Sequence, residues 1–182
     1  MRRAVFLDRD GVLNRAVVRD GRPYPPKRLE EFELYEDVLA GCAKLHAAGF
    51  LQIVVTNQPD VARGAQKREV VDGMHEKLLT DLPQIAQIEV CWHAGSDWGD
   101  PCHCRKPLPG MVLHAAQTLD IDVRESFFIG DRWRDMDCGY AAGCRTVFID
   151  RGYSGTLRHP PDWTVKSFGQ AVEVILRASQ VT

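Results

Sequence analysis

Short apolar runs alternate with helical patterns along the whole chain, and this alternation constrains the fold more than any other feature. Strands are expected over residues 4–8, 52–56, 88–93, 126–130 and 146–150. Most of these runs are continuously apolar, as in parallel strands buried on both faces. Helices are expected over 37–48, 67–82, 110–119, 134–142 and 168–179, with Gly49 and Gly143 just past two of them, where a C-cap favours positive φ. Alternation with short connections predicts an α/β fold, a Rossmann-like doubly wound parallel sheet. Residues 163–165 offer an edge strand, and Pro23–Pro26 reads as a surface loop.

At 182 residues the chain suits one domain, 1–182, with a substantial core. A net charge of −2 points to no nucleic-acid or membrane surface. Arg2-Arg3 precedes only a short apolar run that ends at Asp8, so neither a signal peptide nor twin-arginine export is expected, and the expected compartment is the cytoplasm. Six cysteines in that compartment favour metal binding or buried thiols over disulfides.

The chemistry-bearing residues fall where strands end. Val5-Phe6-Leu7 runs into Asp8-Arg9-Asp10-Gly11. Acids two apart on extended chain face one side, and open α/β sheets bind ligands beyond their carboxyl ends. Thr56-Asn57 follows the second strand, Lys106 the third and its loop, and Asp131 and Asp135 the fourth. Taken singly, each reads as a cap, a turn or a solvated side chain. Together they suit phosphoryl transfer, where catalysis is largely positioning and charge stabilisation. Mg²⁺ favours hard oxygen ligands, which Asp8, the Asp10 main-chain carbonyl and Asp131 offer.

The order Asp-x-Asp-Gly, Thr-Asn, Lys-Pro, Gly-Asp-x-x-x-Asp resembles the haloacid dehalogenase-like phosphatases over essentially the whole chain. The resemblance implies Mg²⁺ and a phospho-aspartate intermediate. It makes Asp8 the nucleophile and Asp10 the general acid, then base. It places Thr56 and Lys106 against the phosphoryl group, Asp131 on Mg²⁺, and Asp135 behind Lys106. The competing class is a phosphoryl-accepting receiver domain. That would place its acceptor after the third strand, where this chain instead has a cysteine loop.

In that loop, residues 91–104, Cys91-x-His93 and Cys102-x-Cys104 flank a polar stretch. Three thiolates and one imidazole suit a closed, structural zinc site that pins the segment carrying Arg105-Lys106-Pro107. The loop narrows the resemblance to the branch holding heptose-bisphosphate and histidinol-phosphate phosphatases. Thr56-Asn57-Gln58-x-x-x-Ala62-Arg63-Gly64 is more similar to the heptose side, although relatives there usually have Ser-Gly in place of Pro59-Asp60. About twenty residues between Asn14 and the first helix are too few for a separate cap domain, so a capless enzyme is expected. Its pocket walls would be the 15–31, 58–66 and zinc loops. Asn57, Arg63, Arg105 and Arg132 are the expected substrate-binding residues, the arginines for a second phosphate. The expected partner is a small phosphorylated substrate, most simply a sugar bisphosphate such as D-glycero-D-manno-heptose 1,7-bisphosphate.

Overall fold

The computed structural model describes residues 1–180. In chain order the elements are β1 (Ala4–Leu7), β2 (Val17–Arg19), β3 (Arg22–Tyr24), α1 (Val38–Ala47), β4 (Leu51–Asn57) and α2 (Pro59–Ala62). They continue with α3 (Arg68–Asp81), β5 (Ile85–Cys91), α4 (Gly110–Thr118), β6 (Phe127–Gly130), α5 (Trp133–Ala142), β7 (Arg145–Ile149), β8 (Trp163–Val165) and α6 (Phe168–Ala178). Six strands form one parallel sheet in the order β5-β4-β1-β6-β7-β8. The strands expected from sequence all lie in this sheet.

Alternate residues of β1 serve two cores. Val5 and Leu7 pack with Cys42 and Leu45 of α1, Met74 and Leu78 of α3, and Val172 and Ile175 of α6. Ala4 and Phe6 pack on the other face with Val112 and Ala115 of α4 and Cys138 and Ala142 of α5. Burial on both faces is the physical reason that the strand reads as an unbroken apolar run. The chain leaves β1 towards β4 and β5, then crosses to β6 on the other side. The carboxyl ends of β1, β4 and β6 therefore flank the reversal where such sheets bind ligands.

Two expectations shift. β5 begins three residues earlier than expected and ends at Cys91, not His93. It is an edge strand paired only with β4, so Gln87 and Glu89 interrupt its apolar pattern and hide its start. The stretch expected as a plain loop at Pro23–Pro26 begins inside a small antiparallel hairpin, β2–β3, in which Pro23 pairs with Val18. Asp20 and Gly21 both have positive φ at its tip, 49° and 71°. That is the two-residue turn for which Asp-Gly is a strong signal. Between β1 and α1 the described residues hold only this hairpin and a 3₁₀ turn at Leu29–Glu31, in keeping with a capless molecule. Among the described residues no helix is long and apolar enough to cross a membrane.

Candidate active site

Asp8 stands one residue beyond β1, and Asp131 one residue beyond the neighbouring β6. Lys106 reaches this point from the loop after β5. Its Nζ donates to Asp8 Oδ1 at 2.8 Å, Asp135 Oδ1 at 2.6 Å and the Val55 carbonyl at 2.9 Å. Those three bonds use all the donors of an ammonium group. In this arrangement Lys106 offers a phosphoryl group its field while it holds Asp8 in place. Asp135 also accepts, through Oδ2, from the main-chain N–H groups of Asp131 and Arg132.

Asp8 Oδ1 additionally accepts from the Arg9 N–H at 2.8 Å, so both of its partners fall on one oxygen. Oδ2 is left as the candidate nucleophile. Burial and the nearby charges of Asp135 and Asp10 raise the Asp8 carboxyl to about 7 against the opposing pull of Lys106. Burial, then Asp8 and Asp135, raises the Asp131 carboxyl strongly as well. Both Asp131 oxygens are buried without a hydrogen-bond partner. Such a carboxylate is costly unless a cation meets it. Oxygen atoms of Asp8, Asp131 and Asp135 lie within 4.8 Å of one another. Since both Asp135 oxygens are engaged, Asp8 and Asp131 are the side chains fitted to hold Mg²⁺. Gly11, at φ +93°, is required here because a Cβ would lie 1.9 Å from Asp131 Oδ2.

The Asp10 carboxylate turns away from that group. Arg9 Nε and Nη2 donate to Oδ1 at 3.3 and 3.1 Å, and Nη2 reaches Oδ2 at 3.0 Å. Asn14 Nδ2 donates to Oδ1 at 2.9 Å, and Gln58 Nε2 to Oδ2 at 3.0 Å. Asp10 can thus meet a cation only through its main-chain carbonyl. Gln58 Nε2 also donates to Thr56 Oγ1 at 3.0 Å, which sets the orientation of that hydroxyl beside Asp10. Asn14 and Gln58 went unrecognised in the sequence, where a turn residue and the residue after Thr-Asn carry no chemical signature.

The zinc-loop residues converge. Cys91 Sγ lies 3.7 Å from both Cys102 Sγ and His93 Nδ1, and Cys104 Sγ 3.3 Å from His93 Nδ1. A tetrahedron with ordinary Zn–S and Zn–N bonds has edges of about 3.5–3.8 Å, so this donor set fits zinc. The loop is joined to its surroundings at further points. Asn57, which lines the cavity above Asp8, forms a reciprocal pair with the Lys106 main chain, both bonds 3.1 Å. Arg63 Nε donates to the Ala94 carbonyl at 3.0 Å, and Arg105 Nη1 to the His93 carbonyl at 3.3 Å.

Above Asp8 opens a cavity of about 700 Å³ lined by Arg63, Arg105 and Arg132 as expected, and also by Arg22, Arg134 and Arg158. Among the described residues none of these six is ion-paired. Arg134 and Arg158 both lie over the Trp133 ring, at 5.4 and 3.6 Å. Arg22 comes from the hairpin and Arg158 from the loop after β7. Their distance in sequence from every motif kept them from view.

A family model described as HAD-hydrolase-like matches residues 103–171. The chain is 32% identical to the D-glycero-beta-D-manno-heptose-1,7-bisphosphate 7-phosphatase of Yersinia pestis, covering 94% of each. It is 34% identical to the D-glycero-alpha-D-manno-heptose-1,7-bisphosphate 7-phosphatase of Campylobacter jejuni, covering 81% of each. Among solved structures it is similar to a D,D-heptose 1,7-bisphosphate phosphatase from B. bronchiseptica complexed with magnesium and phosphate. That likeness has a TM-score of 0.80 at 28% identity, covering 97% of this chain and 99% of the other.

Proposed function

The chain belongs to the haloacid dehalogenase-like hydrolases and is a phosphatase, and from that premise we propose that it hydrolyses the 7-phosphate of D-glycero-D-manno-heptose 1,7-bisphosphate. The observation that carries the substrate reading is the wall of six arginines without carboxylate partners around the Asp8 cavity. Guanidinium groups without carboxylate partners, set around one cavity, suit a second anionic group on the substrate. The names of the relatives supply the sugar.

Asp8 Oδ2 attacks the 7-phosphorus, and the bond from phosphorus to the sugar oxygen breaks. Asp10 gives its proton to that oxygen, and the dephosphorylated sugar leaves. Asp10, now a base, takes a proton from water, whose oxygen attacks phosphorus. The acyl phosphate opens to inorganic phosphate and free Asp8. Lys106 and Asp135 keep Asp8 oriented through both steps. Thr56, with its hydroxyl set by Gln58, faces the phosphoryl group. Mg²⁺, held by Asp8, Asp131 and the Asp10 carbonyl, would offset charge on the phosphoryl oxygens. Cys91, His93, Cys102 and Cys104 would hold a structural zinc. The second phosphate meets Arg132, Arg134 and Arg158, with Arg63 and Arg105 contributing the N–H groups not given to main-chain carbonyls.

Phosphate release with Mg²⁺, measured on both anomers of the heptose bisphosphate, tests this reading. Phosphorus NMR of the product should show the 1-phosphate retained and the 7-phosphate gone. Loss of the 1-phosphate, or no release from either anomer, contradicts it.

A further inference from the structure

A fully buried arginine is rare unless its donors are satisfied, and Arg9 is 0% exposed. Its Nε and Nη2 fork grips Asp10, as described above. Its Nη1 points the other way, to His75 Nε2 at 3.0 Å. His75 lies on α3, sixty-six residues on in the chain, and is itself buried. A guanidinium has only donors, so His75 Nε2 must accept, and the ring must be neutral with its proton on Nδ1. Burial, then the adjacent Arg9 charge, lowers His75 to about 4, which keeps it neutral at ordinary pH. The Arg9 guanidinium also lies over the Phe32 ring at 5.6 Å.

We propose that His75 is a positioning residue for the reaction: by accepting from Arg9 Nη1 it fixes the guanidinium fork that orients Asp10. A planar fork can hold a carboxylate at one angle only if its far end is also held. Without His75, Nη1 becomes a buried donor without a partner, and the guanidinium must rotate or draw water to satisfy it. Either change releases Asp10 on the Arg9 side and leaves Asn14 and Gln58 to hold it. The proposal rests on the reading of Asp10 as proton donor to the leaving group.

That reading supplies the test. An alkyl leaving group needs its proton, whereas p-nitrophenolate leaves readily without one. The ratio of kcat/KM for a sugar phosphate to that for p-nitrophenyl phosphate therefore reports Asp10 function. The ratio also cancels any loss of folded enzyme, because both substrates meet the same preparation. The sugar phosphate is the heptose bisphosphate or, failing turnover of it, the sugar phosphate hydrolysed fastest in a panel. His75→Leu should lower the ratio by about tenfold or more, a fraction of the roughly 10²–10⁴ attached to a whole acid–base group. His75→Gln, which returns an acceptor oxygen at similar reach, should recover most of that loss. An unchanged ratio in His75→Leu, or no recovery in His75→Gln, overturns the proposal. Asp10→Asn serves as the reference. If it lowers the ratio and His75→Leu does not, only the His75 proposal fails. If it leaves the ratio unchanged, the acid role of Asp10 fails with it.

Discussion

In the proposed reaction Asp8 is both a metal ligand and the nucleophile, and Lys106 and the Arg9 N–H hold it by one oxygen. The near-isosteric Asp8→Asn cannot form an acyl phosphate, so turnover should vanish while the circular dichroism spectrum stays that of the parent. Near-normal activity in that variant would rule out the covalent route. The same carboxyl makes a prediction about pH. Raised to about 7 in the folded chain, against an ordinary value of 3.8, it binds more protons folded than unfolded across that interval. The Asp8 contribution to the stability of the magnesium-free protein should then fall as pH rises from about 4 to about 7. Mg²⁺ competes with those protons, so it should raise Tm more at pH 8 than at pH 5. An equal rise at both values would mean that the buried acids do not share the cation. Asp8, Asp10, Lys106, Asp131 and Asp135 could be proposed from the sequence because each belongs to a short recognisable motif that follows a strand or the loop after it. Arg9 and His75 could not, because a contact across sixty-six residues leaves no local pattern. The pairing of Asn57 with the Lys106 main chain was not legible, since only the folded loop brings that main chain to its amide.

At the scale of elements, the loop between β5 and α4 must deliver a lysine to a point under 3 Å from two carboxylates without strand or helix to guide it. Cys91, at the end of β5, anchors one side, and Cys102 and Cys104 bring the other side to it. Removing one thiolate should therefore loosen Lys106 as well as weaken the metal. Cys102→Ser should lower both Tm and kcat, with zinc content below the one equivalent per chain expected of a four-ligand site. Activity lost with unchanged Tm and zinc would put Cys102 at the chemistry instead. Mild chelation separates the two metals. It should abolish activity, which added Mg²⁺ restores, while zinc measured by elemental analysis stays with the chain. Element boundaries read from the sequence fell within one residue wherever a strand is buried on both faces. They slipped at β5, where one edge is free and the pattern is mixed. The hairpin escaped notice although Asp20-Gly21 signals it, because its strands are three residues long and carry too little alternation to register.

For the whole molecule, the sheet order fixes where the site lies, and the loops fix what it accepts. The strand reversal beside β1 gathers Asp8, Thr56, Lys106 and Asp131 at one edge, and the absence of a cap leaves selectivity to the hairpin, the α2 segment, the zinc loop and the loop after β7. Asp60 lines the same cavity. This architecture followed from the rhythm of the sequence, because a doubly wound sheet imposes that rhythm. Half of the arginine wall, Arg63, Arg105 and Arg132, was expected as well; Arg22, Arg134 and Arg158 were not, since the wall is assembled from five separate segments. A bisphosphate fits it, whereas histidinol phosphate, with one phosphate and a cationic side chain, would leave six guanidinium groups uncompensated. The most direct measurement is kcat/KM for D-glycero-D-manno-heptose 1,7-bisphosphate and for histidinol phosphate, on one preparation with Mg²⁺. The heptose bisphosphate should be preferred by about a hundredfold or more, a floor below the roughly 10⁴–10⁵ seen when a site's buried polar groups are left unpaired. A value for histidinol phosphate equal to or above that for the heptose bisphosphate would contradict the account.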